Sequence, residues 1–588
     1  MNEKIRTEEF LQESDPANIR RGILKGIPSS DGIVIANAYL LSSDNLISPD
    51  EKINSDQIDN ELERLDNAYS NLNIEFDTTL TKVKDSGAII KSIIESNLMI
   101  INDEFIKNDI KDFIKQGFTA ESSIIKEFEL QKSFFKYSND PILKERSIEL
   151  DHIKQRLIGI LKHQFIKFDE VKDRIIIANN ITPTDLVNFM ENGLKGIITE
   201  IGGIASHVSI MARAFMLPAV IGIKDACSIL KNDDLIILDG FSGTLIYNPS
   251  EDLIERYLKK IEKIQKYRSQ LGELIDVESK TTDGKRIILS ANADKPEEVE
   301  QAILSGADSI GLVRSETLIM KLGYIPNCDY QFVYYNELAQ IAYPKNITIR
   351  AFDIGSDKYS EGIPHHESNP ALGFRGIRYL LARRDIFADQ IKAVLRASVN
   401  RNVKFMLPMI ISLDEVEQSL NLISQCKKDL DAQGIGYNKK IPIGIMIETP
   451  AAALLSDFLA KKVSFFSIGT NDLTQYTLAA DRDNNLITEK YDSFHPAVLR
   501  LVKIIIESAS KNNIEISVCG ELAGNFAATT LLLGFGLNEL SVAPSLILEL
   551  KHKIIGTSFS EARILSDKIL DLSSSEAVLE MLEHEPES

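Results

Sequence analysis

Between Gly26 and Leu41 the chain reads as β-strand, in Gly32-Ile33-Val34-Ile35 and again in Ala38-Tyr39-Leu40-Leu41. The character changes near Pro49. Ile53, Ile58, Leu62, Leu65, Ala68 and Leu72 recur at helical spacing, and helical pattern continues to about Lys162. Breaks at Gly87, Gly117 and Pro141 divide that stretch into a bundle of several helices. The run Asp173-Arg-Ile-Ile-Ile-Ala-Asn179 then predicts a buried strand, and short strands alternate with helices as far as Tyr247. A helical insertion inside an α/β domain accounts for this order. Residues 249–278 predict a long charged helix carrying Leu253, Ile254, Tyr257, Leu258 and Ile261, placed as a linker.

The second half is more regular. Short apolar segments occur at Ile287–Ala293, Ser309–Arg314, Ile347–Asp353, Val403–Ile410, Ile443–Glu448, Phe465–Thr470, Glu515–Cys519 and Glu539–Ala543, most of them separated by helix-length spacers. A (β/α)₈ barrel requires this periodicity, although a doubly wound open sheet fits it nearly as well. The polar residues favour the barrel. Arg314, Arg350, Asp353, Glu448, Asn471, Asp472 and Cys519 all stand where these segments finish. In a barrel those ends converge on one rim, where barrel active sites lie.

A chain of 588 residues needs several domains, and its 44% hydrophobic and 26% charged residues are ordinary for a folded, water-soluble protein. No apolar run approaches the roughly 20 residues of a membrane span, and the charged N-terminus lacks a signal-peptide core. Residues 1–20 are polar and expected to be poorly ordered. Four dispersed cysteines argue against a disulfide framework or a zinc site and suit a cytoplasmic setting. A net charge of −20 disfavours nucleic-acid binding.

The rim residues suggest an anionic ligand. Arg314, Arg350 and Arg375 (in Gly-Phe-Arg-Gly-Ile-Arg) can hold phosphate or carboxylate oxygens. Glu448 and Asp472 form a carboxylate pair of the kind that holds Mg²⁺ together with substrate and water. Cys519 is either a plain core thiol or a proton donor beside a metal. In the first half, Gly202-Gly-Ile-Ala-Ser-His-Val-Ser-Ile-Met-Ala-Arg213 places His207 at the start of a helix that Ser206 would cap. Backbone N–H groups favour an anion there, so a phosphorylated imidazole fits, with Arg213 available to help hold it.

These motifs resemble those of enzyme I, the phosphoenolpyruvate–protein phosphotransferase family of the bacterial sugar phosphotransferase system. Gly202–Arg213 matches its phosphohistidine signature. Ile445-Met-Ile-Glu-Thr-Pro-Ala-Ala-Ala453 and Phe465-Phe-Ser-Ile-Gly-Thr-Asn-Asp-Leu-Thr-Gln-Tyr476 match its barrel signature. Asp353–Lys358, Asn369–Arg375 and Cys519–Gly524 add to the likeness, which runs from about Gly26 to the last helices.

The resemblance implies a multidomain α/β protein. Its parts would be a flexible extension (1–21), a swivelling phosphohistidine α/β domain (22–48 and 163–248), an all-α insertion (49–162), a linker helix (249–278) and a TIM barrel (279–588). It implies that Mg²⁺ is held by Glu448 and Asp472. Phosphoenolpyruvate would be gripped by Arg314, Arg350 and Arg482, with Arg375 and Asn471 nearby. His207 would take the phosphoryl group, Cys519 would protonate the enolate to pyruvate, and the histidine-containing phosphocarrier protein HPr would dock on the insertion. It also implies a homodimer through the barrel. The chain departs from the family pattern at Ile204 and Ala205, at Thr317 (with Ser315 keeping a hydroxyl) and at Asp483. Those departures leave room for a regulatory paralogue with slow or no turnover. Pyruvate phosphate dikinase or phosphoenolpyruvate synthase would need an ATP-grasp domain, for which the N-terminal part is too short.

Overall fold

In the computed structural model, residues 21–41, 50–82, 88–135, 141–162, 168–203, 206–355, 369–481, 487 and 490–583 are described. The chain divides into two compact units, 1–266 and 267–588, and the division falls within the helix Glu251–Gly272.

The first unit is built on a sheet of β1 (Gly22–Lys25), β2 (Ile27–Ser30), β3 (Ile33–Leu41), β4 (Arg174–Ala178), β5 (Gly196–Thr199), β6 (Ala219–Ile221), β7 (Leu235–Asp239) and β8 (Thr244–Tyr247). Its strand order is β1-β8-β7-β3-β4-β5-β6-β2. The central β3, β4, β5 and β6 run parallel, and antiparallel partners close both flanks. In β4 the apolar run is explained by burial on both faces. Ile176 and Ala178 face one core, while Ile175 and Ile177 face the other.

Between β3 and β4 the chain leaves the sheet for the helices Ile58–Lys82, Ala88–Ile101, Glu104–Lys115, Ala120–Phe135 and Pro141–Leu161. Leu65, Leu72, Ile110, Ile114, Ile124 and Leu157 pack their apolar stripes into the core shared with β4 and β5. Gly117 turns the chain between the third and fourth of these helices with φ +91°.

In the second unit, β9 (Ile288–Asn292), β10 (Ser309–Arg314), β11 (Ile347–Arg350), β12 (Val403–Leu407), β13 (Ile443–Ile447), β14 (Phe465–Ile468), β15 (Glu515–Val518) and β16 (Glu539–Val542) close into a barrel. Every neighbouring pair is parallel, and β16 pairs back onto β9. The open-sheet alternative is thereby excluded. Leu312, Met406, Met446, Phe465 and Cys519 form a small apolar cluster of their own. The strands are short, so the polar residues that follow them in sequence stand beyond the ladder, on the loops of the carboxyl rim. No helix among the described residues is long and apolar enough to cross a membrane.

Candidate active site

Glu448 follows β13 directly and is 1% exposed. One carboxylate oxygen, Oε1, accepts from the Met409 N–H at 2.6 Å; the other, Oε2, is buried without a hydrogen-bond partner among the described residues. Burial, reinforced by the nearby Asp472 and Asp353, raises its pKa well above the usual carboxylate range, against the pull of Arg350. A cation bound at Oε2 would remove that penalty. Among the described residues no three His, Cys, Asp or Glu side chains cluster as a metal cage. Two carboxylates with an orphaned oxygen fit a hard cation that keeps waters and substrate oxygens in its shell, as Mg²⁺ does. A Cβ on Gly469 would lie 3.0 Å from Glu448 Oε2, so only glycine leaves that oxygen room.

The arginines are preset by carboxylates. Arg350, at the end of β11, is 5% exposed and pairs with Glu316; Asp353 Oδ2 lies 3.5 Å from the same nitrogen. Burial opposes its charge, but Glu316, Asp353, Glu448 and Asp472 outweigh it and hold the guanidinium firmly protonated. Arg375 is buried and forked onto Asp353, with Nη2 2.7 Å from Oδ2 and Nε 3.2 Å from Oδ1. Its Nη1 lies 3.7 Å from Asp472 Oδ1. Asp353 therefore ties two arginines together, and Asp472 adds a second carboxylate beside Arg375. Arg314 is half exposed; its Nε and Nη2 meet Asp294 Oδ2 at 2.9 and 2.7 Å. Its backbone N–H donates to the other Asp294 oxygen at 2.7 Å.

Cys519 follows β15. Its sulfur accepts from the Ser467 hydroxyl at 3.0 Å and donates to the Ile468 carbonyl at 3.6 Å. Burial pushes the thiol up to about 11, so it stays protonated at neutral pH and can act as an acid. Asn471 is locked onto the loop after Cys519: its Oδ1 accepts from the Glu521 N–H at 2.9 Å and its Nδ2 donates to Glu521 Oε1 at 3.1 Å. A Cβ on Gly520 would sit 2.0 Å from Thr470 Oγ1, so these two loops touch only because that residue is glycine. The barrel thus brings together Arg314, Arg350, Arg375, Glu448, Asn471, Asp472 and Cys519. Arg482 and Asp483 lie outside the described residues.

His207 belongs to the first unit, where it opens the helix His207–Ala214. Ser206 caps that helix, its hydroxyl oxygen accepting from the Ser209 N–H at 3.3 Å. His207 is half-buried. Arg213, considered as a partner for a phosphorylated imidazole, donates to the Ser29 carbonyl at 3.0 Å. Ile204 and Ala205 lie outside the described residues.

Several functional-looking residues escaped sequence reasoning. Asp294 and Glu316 orient arginines, and each is separated in sequence from the residue it serves. His152, on the helix Pro141–Leu161, is 9% exposed and bonded through Nε2 to the Asn180 amide at 2.5 Å. Burial lowers it to about 4, and its charge is further disfavoured by His207. The inserted helices therefore supply a neutral imidazole in the electrostatic reach of His207.

Three family models cover most of the chain. The N-terminal domain of PEP-utilising enzymes matches residues 25–146, the mobile domain 170–243 and the PEP-binding domain 268–559. The phosphoenolpyruvate-protein phosphotransferase of Listeria monocytogenes is 36% identical over 570 residues, covering 95% of this chain and 98% of its own. That of Staphylococcus aureus (strain MRSA252) is 35% identical over 95% of this chain and 99% of its own. Among solved structures, the solution structure of an Enzyme I (nEIt) protein covers 41% of this chain and 99% of its own, at 30% identity and a TM-score of 0.36. A likeness that spans nearly the whole chain and all three domains leads to one conclusion: the chain belongs to the phosphoenolpyruvate-protein phosphotransferase family, enzyme I of the phosphotransferase system.

Proposed function

We propose that the barrel rim binds phosphoenolpyruvate with Mg²⁺, and that its phosphoryl group passes to His207 and then to a histidine of the phosphocarrier protein HPr. The observation that carries this reading is the buried Oε2 of Glu448, without a partner among the described residues, beside Asp472 and three carboxylate-oriented arginines. This set of charges suits a trianion bridged to a divalent cation. His207 stands in the segment matched by the mobile-domain model.

In this scheme Arg314, Arg350 and Arg375 hold the phosphate and carboxylate oxygens, and Asn471 adds its amide. Glu448 and Asp472 would hold Mg²⁺, which would supply positive charge against the anionic oxygens of the substrate. A ring nitrogen of His207 forms a bond to phosphorus as the bond from phosphorus to the enol oxygen breaks. The loose transition state leaves its charge on oxygens faced by the arginines. The Cys519 thiol gives its proton to the methylene carbon of the enolate, producing pyruvate. The imidazole releases its own N–H proton, from which the thiolate is restored, so protons balance. The helical insertion receives the carrier protein, the barrel supports a homodimer, and the reaction takes place in the cytoplasm.

Incubation with phosphoenolpyruvate and Mg²⁺ should release one pyruvate per chain and add one acid-labile phosphoryl group, seen by intact mass. Adding HPr should move that group to the carrier. A folded, Mg²⁺-replete protein that forms neither product overturns the reading.

Two substitutions follow from the geometry. Arg350→Lys keeps the charge but loses the fork that spans Glu316 and substrate oxygens. The KM for phosphoenolpyruvate is expected to rise by roughly 10- to 100-fold, from the loss of one or two charge-assisted hydrogen bonds. Cys519→Ala is expected to slow pyruvate release by about 10²- to 10⁴-fold, the usual weight of a positioned acid. Quenched-flow measurement of pyruvate against phosphoenolpyruvate binding separates the two effects, because Cys519→Ala leaves affinity nearly unchanged.

A further inference from the structure

The parallel ladder between β10 and β11 ends at the pair Arg314 and Arg350; beyond it the Ala351 N–H still donates to the Met406 carbonyl of β12 at 2.8 Å, but β10 and β11 are no longer paired to each other. A side chain joins the two strand ends there. Gln390, on the helix Arg384–Ala397, has no exposed surface. Its Nε2 donates to Ser315 Oγ at 3.0 Å and to Tyr335 OH at 3.1 Å, while its Oε1 accepts from the Phe352 N–H at 3.0 Å. Ser315 Oγ in turn donates to the Arg350 carbonyl at 2.6 Å. The network continues inward, from Tyr335 OH to Gln331 Oε1 at 3.3 Å and from Gln331 Nε2 to the Pro326 carbonyl at 2.8 Å. Ser315, Gln331, Tyr335 and Gln390 are all fully buried.

A buried amide is costly unless its partners are in place, and a satisfied network of this kind selects one arrangement of the backbone. Here it clamps the residue after Arg314, the carbonyl of Arg350 and the amide two residues beyond Arg350. The hydroxyl of Ser315 thus lies behind the arginines and is used to join the two strand ends. Asp353, which orients Arg375, follows Phe352 directly.

We propose that Gln390, acting through Ser315 and Tyr335, is a positioning residue that sets the spacing of Arg314 and Arg350 for the substrate anion. This rests on the reading of the rim as a phosphoenolpyruvate site. A grip made equally in the ground state and the transition state appears in KM and leaves kcat alone.

The test measures pyruvate production from phosphoenolpyruvate with Mg²⁺ and HPr for the wild type, Gln390→Met and Tyr335→Phe. Methionine matches glutamine in length without its hydrogen bonds, and Tyr335→Phe removes only the hydroxyl. The expected result is a KM for phosphoenolpyruvate raised about tenfold or more in Gln390→Met and a few-fold in Tyr335→Phe. The kcat and the Mg²⁺ concentration at half-activation are expected to stay within about threefold. A lowered unfolding temperature with unchanged KM in both variants overturns the inference, because the network would then serve stability alone. Should Gln390→Met not fold, the KM of Tyr335→Phe decides. A wild type that forms no pyruvate refutes the rim reading itself, a result distinguishable from active enzyme with unaltered variants.

Discussion

His207→Ala is expected to form no phosphoryl adduct and to release no pyruvate above background, a loss of roughly 10⁶-fold, which is the scale for removal of a covalent nucleophile. The side chain opens the helix His207–Ala214 and is half-buried, so its truncation leaves no large cavity and the unit should fold. The rim groups proposed to bind phosphoenolpyruvate belong to the other unit. Affinity measured by calorimetry with Mg²⁺ present should therefore stay within about twofold of the wild type, since binding and transfer are separable. Retained affinity together with lost transfer isolates the acceptor role. An adduct persisting in the variant would place the phosphoryl group on another residue, and His152, the neutral imidazole nearby, would be the first to examine.

The barrel was legible because its strands are short apolar runs ended by charged or polar residues. β13, Ile443–Ile447, is buried throughout and is followed at once by Glu448, and β15 passes directly into Cys519. Such a strand reads as a strand, and the break in its apolar run reads as a site. The sheet order of the first unit was not legible. β7 and β8 return antiparallel beside β3, and β2 crosses to the far edge beside β6, with no mark of this in the local pattern.

The site shows the same division. Arg314, Arg350 and Glu448 stand at strand ends and could be named, but the groups that aim the arginines were hidden. Gln390 is 75 residues from Ser315, and a single amide on an amphipathic helix carries no periodic signal. Asp294 lies 20 residues before Arg314 and looks like an ordinary loop aspartate until the strands are laid side by side. A charged residue at a strand end leaves its trace in the sequence as residue type. The groups that orient it act by pairing across the fold, which only the structure reveals.

Glu448→Gln tests the metal reading from two directions with opposite signs. With saturating Mg²⁺, kcat/KM is expected to fall by roughly 10³-fold, about 4 kcal/mol, as in the loss of one preorganised electrostatic group. In the metal-free protein the same substitution should stabilise. Folding raises the Glu448 pKa above its unfolded value, so its contribution is fully present below the ordinary carboxylate range. That contribution is lost as pH rises through the raised value. Glutamine does not titrate, and the unfolding temperature of the metal-free variant should exceed that of the wild type at pH 8. The difference should shrink towards pH 5.

Mg²⁺ should reverse the ranking, because it stabilises only a folded state that still offers the carboxylate. The cation must also displace the proton held by Glu448, so Mg²⁺ affinity should weaken as pH falls. Calorimetry in two buffers of different ionisation enthalpy would register the released proton. A variant that keeps Mg²⁺-dependent turnover, or a wild type that binds Mg²⁺ without releasing a proton at pH 7, would place the metal elsewhere than on Glu448.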